Sequence, residues 1–328
     1  MRVLAGDIGG TKTLLQISEF DRPSVRGHVV YQQEYASRAY TDVAAMLKGF
    51  LHEAALSALD AACLAVAGPV SGNAHGQSAQ LTNLPWRLET RALADVLHTP
   101  RVRLINDFQA AAYGIEALEP DDLVILQRGE PLPDAPRLVA GAGTGFGAAL
   151  LIGKNTHVQA MATEAGHAAF APLDELQSEL LRWLSGHYGR VSYERILSGA
   201  GLVRIYDFLA SRSGKAHGAD DTGDARAAEI TARAARGEEE LAREALDMFI
   251  RIYGAYAGDL ALITLARGGV YIAGGIAPRI VSQLQSGSFM HAFNGKGRMS
   301  DIARAMPVRV VLNPRIGLMG AALAAAGL

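Results

Sequence analysis

Residues 3–17 (VLAGDIGGTKTLLQI) can be laid over residues 138–152 (LVAGAGTGFGAALLI) so that Gly6 meets Gly141, Gly10 meets Gly145, and apolar runs flank both. An apolar run, a glycine-rich turn and a second apolar run are the pattern of a β-hairpin. A chain that uses this design twice is constrained toward two similar α/β halves. Two glycine-rich turns between strands also arise by chance in α/β chains, so the match by itself leaves duplication open.

Length supports the same division. At roughly 150 residues per domain, 328 residues suggest about two domains, and 49% hydrophobic residues can fill their cores. The 31 basic and 33 acidic residues leave a formal charge of -2 with no Lys/Arg block, so a polyanionic partner such as nucleic acid finds no electrostatic footprint. Cys63 is alone, in the run AACLAVAG. That excludes an internal disulfide framework and a cysteine-built zinc cluster, reads as a buried core thiol, and fits a reducing compartment. Before Gly6 and Asp7 only Val3, Leu4 and Ala5 are apolar, too few for a secretory signal, and the apolar stretch 254–277 is broken by Asp259 and Arg267. The expected location is cytoplasmic.

Periodicity places the remaining elements. Val43, Met46, Leu47, Phe50, Leu51 and Ala54 have helical spacing within 41–62, with Thr41 as the expected N-cap. Residues 63–67 read as a buried strand, and the Gly-, Asn- and Ser-rich stretch onward to Trp86 as loop. A strand over 101–105 runs into a helix over 108–114, which puts Asn106 and Asp107 at the junction. The proline-rich segment 129–136 is the expected connection between halves, and 213–224 a polar loop. A helix over 238–265 carries Leu241, Ala245, Met248, Phe249, Ile252, Tyr253, Tyr256 and Leu260 on one core face. A strand over 308–312 and a helix over 317–326 close the chain.

Three glycine-rich turns could let backbone N–H groups converge on phosphate oxygens: 7–13, 141–147 and 274–276. None is a G-x-x-x-x-G-K-[ST] loop. Gly143, Gly145 and Ala148 satisfy G-x-G-x-x-A, yet the segment continues into Leu150, Leu151 and Ile152, a strand pattern where a dinucleotide fingerprint needs a helix. In the first turn Asp7 beside Gly9, Gly10, Thr11 and Lys12 offers a carboxylate to magnesium's water shell and donors to phosphate, or else simply a tight hairpin. Asp107 reads either as a helix N-cap or as a general base that takes the proton of an alcohol during phosphoryl transfer, with Asn106 fixing a neighbouring hydroxyl. Glu164 and His167 in TEAGH and Glu194 in SYERILSG are polyol-binding candidates, each also readable as a surface or capping residue. His167 has no second ligand at zinc spacing. Lys296 and Arg298 read as a solvated loop.

The strings DIGGTKT, TNLPW, INDFQAAAYG, GAGTGFGAAL, TEAGH, SYERILSGAGL, GGVYIAGGIAPR and GLMGAALA, in order along nearly the whole chain, together resemble the bacterial glucokinase family of the non-ROK type. The resemblance implies a ribonuclease-H-like, actin/hexokinase-type ATPase fold, two α/β domains flanking a cleft: a smaller domain of residues 1–117 plus about 313–328, and a larger one of 118–312. It implies ATP and Mg2+ as cofactors, a first phosphate loop of Gly6, Asp7, Ile8, Gly9, Gly10, Thr11 and Lys12, a second of Gly143, Thr144 and Gly145, and Gly274, Gly275 and Ile276 near the adenosine. Asp107 becomes the catalytic base, and Asn83, Asn106, Glu164, His167 and Glu194 the sugar contacts. Two positions depart from the family pattern: Ala165 replaces a usual glycine, which leaves sugar selectivity open, and Lys12 stands where many members carry Asn. The cysteine cluster and leading helix-turn-helix of ROK proteins are absent. The expected activity is phosphorylation of glucose at its 6-hydroxyl, by a homodimer. The competing readings are a kinase for fructose, mannose or an amino sugar, and a non-catalytic sugar sensor.

Overall fold

The computed structural model describes residues 1–21, 27–56, 58–73, 76–81, 84–153, 158–214 and 223–327. Its strands are β1 (Arg2–Ile8), β2 (Lys12–Glu19), β3 (His28–Ala36), β4 (Ala61–Val66), β5 (Val70–Asn73), β6 (Gly76–Gln80), β7 (Arg87–Glu89), β8 (Val102–Asn106), β9 (Leu123–Gln127), β10 (Arg137–Ala142), β11 (Phe146–Ile152), β12 (Gln159–Ala162), β13 (Gly269–Ala273) and β14 (Val308–Val311). The chain forms two compact units. One comprises Met1–Pro120, Gly153–Ala162 and Asn313–Leu328; the other comprises Asp121–Ile152 and Thr163–Leu312.

In the first unit the sheet order is β3-β2-β1-β4-β8. The β1–β2 hairpin is antiparallel, and β4 and β8 follow in parallel. Every side chain of β4 is buried, Cys63 included, as expected for a parallel strand covered on both faces. The stretch read as loop before Trp86 is instead an antiparallel meander of β5, β6 and β7; its strands are too short and polar to show a period. The first helix is Val43–Glu53, capped by Asp42, which accepts from Ala45 N at 2.8 Å, rather than by Thr41. It stops well short of residue 62 because Ala55 adopts φ 52° and the apolar residues that extended the pattern belong to β4.

The second unit repeats the scheme: β10 and β11 form the antiparallel hairpin, β13 and β14 follow in parallel, and β9 closes the edge antiparallel to β14. The two sequence segments that overlay are thus topological equivalents. The 129–136 segment joins β9 to β10 inside this unit rather than linking the halves. Helix Glu240–Thr264 fills the core, with Phe249 and Tyr253 fully buried. Helix Ser288–Asn294 crosses it at Gly254 and Gly258, where an added Cβ would lie 2.2 Å from Phe289 O and 2.5 Å from Phe293 O. Lys296, expected in a solvated loop, is buried: its Nζ donates to Ala255 O (2.7 Å) and Asp259 Oδ1 (2.6 Å), its stem running over Gly258. Arg298 stays exposed. Trp86 lies in the core of the first unit, and Trp183 packs against His187 and Phe208 in the second. Among the described residues no helix is long and apolar enough to cross a membrane.

Helix Ile316–Ala326 returns to the first unit and lies on helix Asp107–Gly114. The contact is made by glycines: a Cβ on Gly320 would sit 1.7 Å from Ala110 O, and one on Gly114 would sit 2.2 Å from Ile316 O. Backbone cannot yield as a side-chain tip can. Gly320→Ala is therefore expected to cost about 3 kcal/mol or more, read as a lowered thermal midpoint of the first unit, whereas Gly49→Ala, with nothing within 4 Å of the added methyl, leaves it unchanged or raised.

Candidate active site

Parallel pairing of β1, β4 and β8 brings their C-terminal ends to one edge of the first unit. Asp7 lies opposite Ala65, and Asn106 opposite Val66. The junction is resolved in favour of Asn106 as the N-cap: its Oδ1 accepts from Phe108 N (2.9 Å) and Gln109 N (3.3 Å), while Nδ2 donates to Gly68 O at 3.4 Å. Asp107 is already the first helical residue, and its Oδ1 accepts from Phe108 N at 2.8 Å. Relieved of capping, its carboxyl is pushed up to about 6, chiefly by desolvation and further by the nearby charge of Asp7, against hydrogen bonds that favour the ionised form. Burial also raises Asp7, opposed by Lys12.

The turn after β1 is braced from one side. Gly9 N donates to Lys12 O (3.0 Å), Ser37 N to Thr11 O (3.0 Å) and Ser37 Oγ to Gly9 O (2.8 Å), with Thr13 Oγ1 2.9 Å from Ser37 Oγ. The carbonyls of Gly9, Thr11 and Lys12 and the N–H of Gly9 are engaged within the turn and by Ser37, so what the turn can offer a ligand is chiefly the N–H groups after Gly9. Lys12 is exposed and pairs with Glu34 at 3.2 Å. A Cβ on Gly317 would come within 3.3 Å of Asp7 Oδ2, so the first turn of helix Ile316–Ala326 abuts this carboxylate. Among the described residues no group of three His, Cys, Asp or Glu side chains could hold a metal ion. A lone carboxylate beside N–H donors fits Mg2+ that keeps most of its waters and takes the rest of its ligands from phosphate.

The second unit gathers the other two glycine turns. Gly143 N donates to Gly145 O (2.8 Å), Gly199 N to Gly143 O (2.9 Å) and Ile276 N to Ala142 O (3.2 Å). Gly274 has φ 82°, and a Cβ there would meet Ala142 O at 2.4 Å, so only glycine fits. Helix Gly199–Arg212, capped by Ser198 through Gly201 N, points its N-terminus, the positive end of its dipole, at the Gly143 turn. Around them lies a pocket of about 440 Å³, walled by Ala227, Ala228, Ala232 and Ile276, with Thr144, Asp224, Thr231 and Arg279 as its polar side chains. β11 is the strand that the G-x-G-x-x-A reading required to be a helix.

The carboxylates of the second unit converge on the same turn. Glu194 accepts from Phe146 N at 3.2 Å, and a Cβ on Gly145 would lie 2.5 Å from its Oε2. A Cβ on Gly166 would lie 2.1 Å from Phe146 O, which places the Glu164–His167 turn directly on the start of β11. Glu164 and His167 are exposed, 3.8 Å apart. Ala165 packs against the core of the unit at a φ that is not positive, so a methyl in place of the family's glycine costs the turn nothing. Asn83 lies outside the described residues, as does most of the loop read at 213–224.

A profile of glucokinases matches residues 4–328. The glucokinase of a Nostoc species is 43% identical across 99% of both chains, and that of a Synechocystis species is 40% identical across 98% of this chain and 97% of its own. The chain belongs to the glucokinase family. The crystal structure of a glucokinase from an Antarctic psychrotroph superposes with a TM-score of 0.87 at 31% identity, covering 100% of this chain and 99% of that one. A ROK family glucokinase from Streptomyces griseus, solved with glucose and AMPPNP, shares the fold at TM-score 0.63 and 19% identity, covering 99% of each chain. The fold is that of the actin/hexokinase-like ATPases.

In this glucokinase-family chain, sequence reading passed over the pocket residues Gly199, Asp224, Thr231 and Arg279. The Ser198-Gly199 pair carried a usable signal, a capping serine before a helix beside a glycine turn; the alanine wall carried none, because alanines at helical spacing read as ordinary helix. The Asp107 carboxyl is raised above its unfolded value of 3.8, so the native state binds the extra proton. Stability from this group is present below pH 3.8 and is lost as pH rises through about 6. Asp107→Asn should thus be the more stable protein above pH 6, by on the order of 1–2 kcal/mol, less than full linkage because the group keeps some solvent contact. Thermal melts without nucleotide at pH 4 and pH 7.5 check this; a variant less stable at pH 7.5 would contradict it.

Proposed function

We propose that this chain transfers the γ-phosphoryl group of ATP to the 6-hydroxyl of glucose, giving glucose 6-phosphate and ADP. The observation that carries the reading is Asp107: a carboxylate at a strand end, freed from capping by Asn106 and held near the pKa suited to a general base. The glucokinase names of relatives alike over their full length support it.

Asp107 accepts the proton of the primary hydroxyl while that oxygen forms its bond to the γ-phosphorus, and the bond to the β,γ-bridging oxygen breaks, leaving ADP. The free N–H face of the Asn106 amide holds a neighbouring hydroxyl. Glu164, His167 and Glu194 hold the pyranose hydroxyls, and Asn83 is the further sugar contact that the family resemblance implies. Phosphates lie against the turns of Gly9, Gly10 and Thr11 and of Gly143, Thr144 and Gly145, on N–H groups other than those of Gly9 and Gly143, which bond Lys12 O and Gly145 O, with Lys12 adding charge. Gly274, Gly275 and Ile276 border the adenosine. When bound, Mg2+ neutralises charge on the phosphate oxygens, and Asp7 holds it through water. The protein works in the cytoplasm as a homodimer; sedimentation checks the second point.

Magnesium-dependent ADP formation should appear with glucose, stay near background without sugar, and be weaker with fructose, mannose and glucosamine. Activity confined to another hexose would change the substrate, and turnover independent of sugar would sink the kinase reading. Asp107→Asn should lose about 10³-fold in kcat with glucose binding retained, and wild-type kcat/KM should fall as pH drops through about 6. Glu194→Ala should raise the KM for glucose more than that for ATP; equal effects would point to folding.

A further inference from the structure

Two buried tyrosines of helix Glu240–Thr264 spend their hydroxyls on backbone atoms beside or within functional turns, Tyr253 at the end of β10 and Tyr256 in the 164–167 turn. Tyr253 Oη accepts from Ala142 N at 3.3 Å and lies 3.4 Å from Ala140 O, to which it donates. Ala142 immediately precedes Gly143, and its carbonyl receives Ile276 N, so this hydroxyl anchors the point where both nucleotide-side turns of the second unit meet. Tyr256, three residues on and therefore on the same helix face, donates from Oη to Ala165 O at 2.6 Å. Ala165 sits inside the turn that carries Glu164 and His167.

The rings complete the connection. Tyr256 stacks on Tyr193 with centroids 3.5 Å apart and planes inclined by 10°, and Tyr193 adjoins Glu194. Phe146 contacts both tyrosines of the helix, at 5.9 and 5.4 Å between centroids, and its N–H holds the Glu194 carboxylate. Phenylalanine would fill both positions equally well as apolar volume. The oxygen is the added element, and its partner is main chain in each case: the last residues of β10 for Tyr253 and the 164–167 turn for Tyr256. Burial pushes both phenols above their ordinary pKa, so they stay neutral donors across the working range.

We infer that Tyr253 and Tyr256 are a pair of positioning residues: Tyr256 fixes the turn bearing Glu164 and His167, Tyr253 fixes the strand end leading to Gly143, Thr144 and Gly145, and the rigid helix between them sets the spacing of sugar-holding and phosphate-holding groups. This rests on the functional reading above. It extends that reading to residues that touch neither substrate.

The test is the pair of isosteric variants Tyr256→Phe and Tyr253→Phe, each measured for KM of glucose, KM of ATP and thermal midpoint. Tyr256→Phe should raise the KM for glucose about five-fold and leave that for ATP within a factor of two. Tyr253→Phe should do the reverse. Similar losses of thermal midpoint are expected from both, so stability alone cannot produce the crossed pattern. Both KM values moving together, or neither moving while the midpoint falls, would reduce the tyrosines to core packing. A wild-type protein without sugar-dependent ADP formation would instead remove the functional reading, and this inference with it. Should a variant not fold, deuterium exchange on the wild type decides: saturating glucose should slow exchange around residue 165 and saturating ADP should slow it at the Ala142 amide, and an Ala142 amide unchanged by ADP overturns the role of Tyr253.

Discussion

The structure depends on parallel strands laid beside a hairpin. β4 next to β1, and β13 next to β10, leave each hairpin turn at the carboxyl end of neighbouring strands, where the backbone departs from the sheet with N–H groups still to be used. Open α/β sheets bind ligands at such ends. Asp7, Asn106 and Asp107 occupy that edge in the first unit, and Gly143, Thr144, Gly274 and Gly275 occupy it in the second. Both units join a glycine turn to carboxylates, Asp7 and Asp107 in the first and Glu164 and Glu194 in the second, and the second adds a helix N-terminus.

Glycine serves a different purpose at each level. At Gly274 a positive φ and a carbonyl 2.4 Å from the site of a Cβ leave no alternative. At Gly114, Gly320, Gly254 and Gly258 the backbone is ordinary helix, and the missing side chain lets two helices approach until their main chains touch. Only the first kind shapes a ligand site. The second kind fixes the helices on which Asp107 and the two tyrosines ride, so a methyl there would force apart helices that carry them.

Much of this was legible in the amino-acid sequence, for physical reasons that can be named. The hairpins were, because apolar runs around glycine-rich turns have few other solutions. The long helix and its buried aromatic face were, because the period is sustained over many residues. The meander of β5, β6 and β7 was not, since half-exposed strands of three to five residues carry no period. Lys296 was misread because a cation in a Gly-rich string looks solvated, and its partner Asp259 lies on a distant helix. From sequence the capping role at the junction fell to Asp107, and only backbone geometry showed that Asn106 takes it. That choice matters chemically: an amide caps without titrating, and the acid keeps the short-range bond from Phe108 N.

The placement of the two tryptophans gives the molecule a built-in pair of reporters. Trp86 is sealed in the core of the first unit, and Trp183 sits beside His187 at a half-exposed helix of the second. Intrinsic fluorescence is therefore a sum of two environments, one sealed from solvent, the other half-exposed and in contact with an imidazole ring. Replacing either indole by phenylalanine would turn one emission spectrum into a record of a single unit, and would reveal whether the halves lose their structure in one cooperative step or in two.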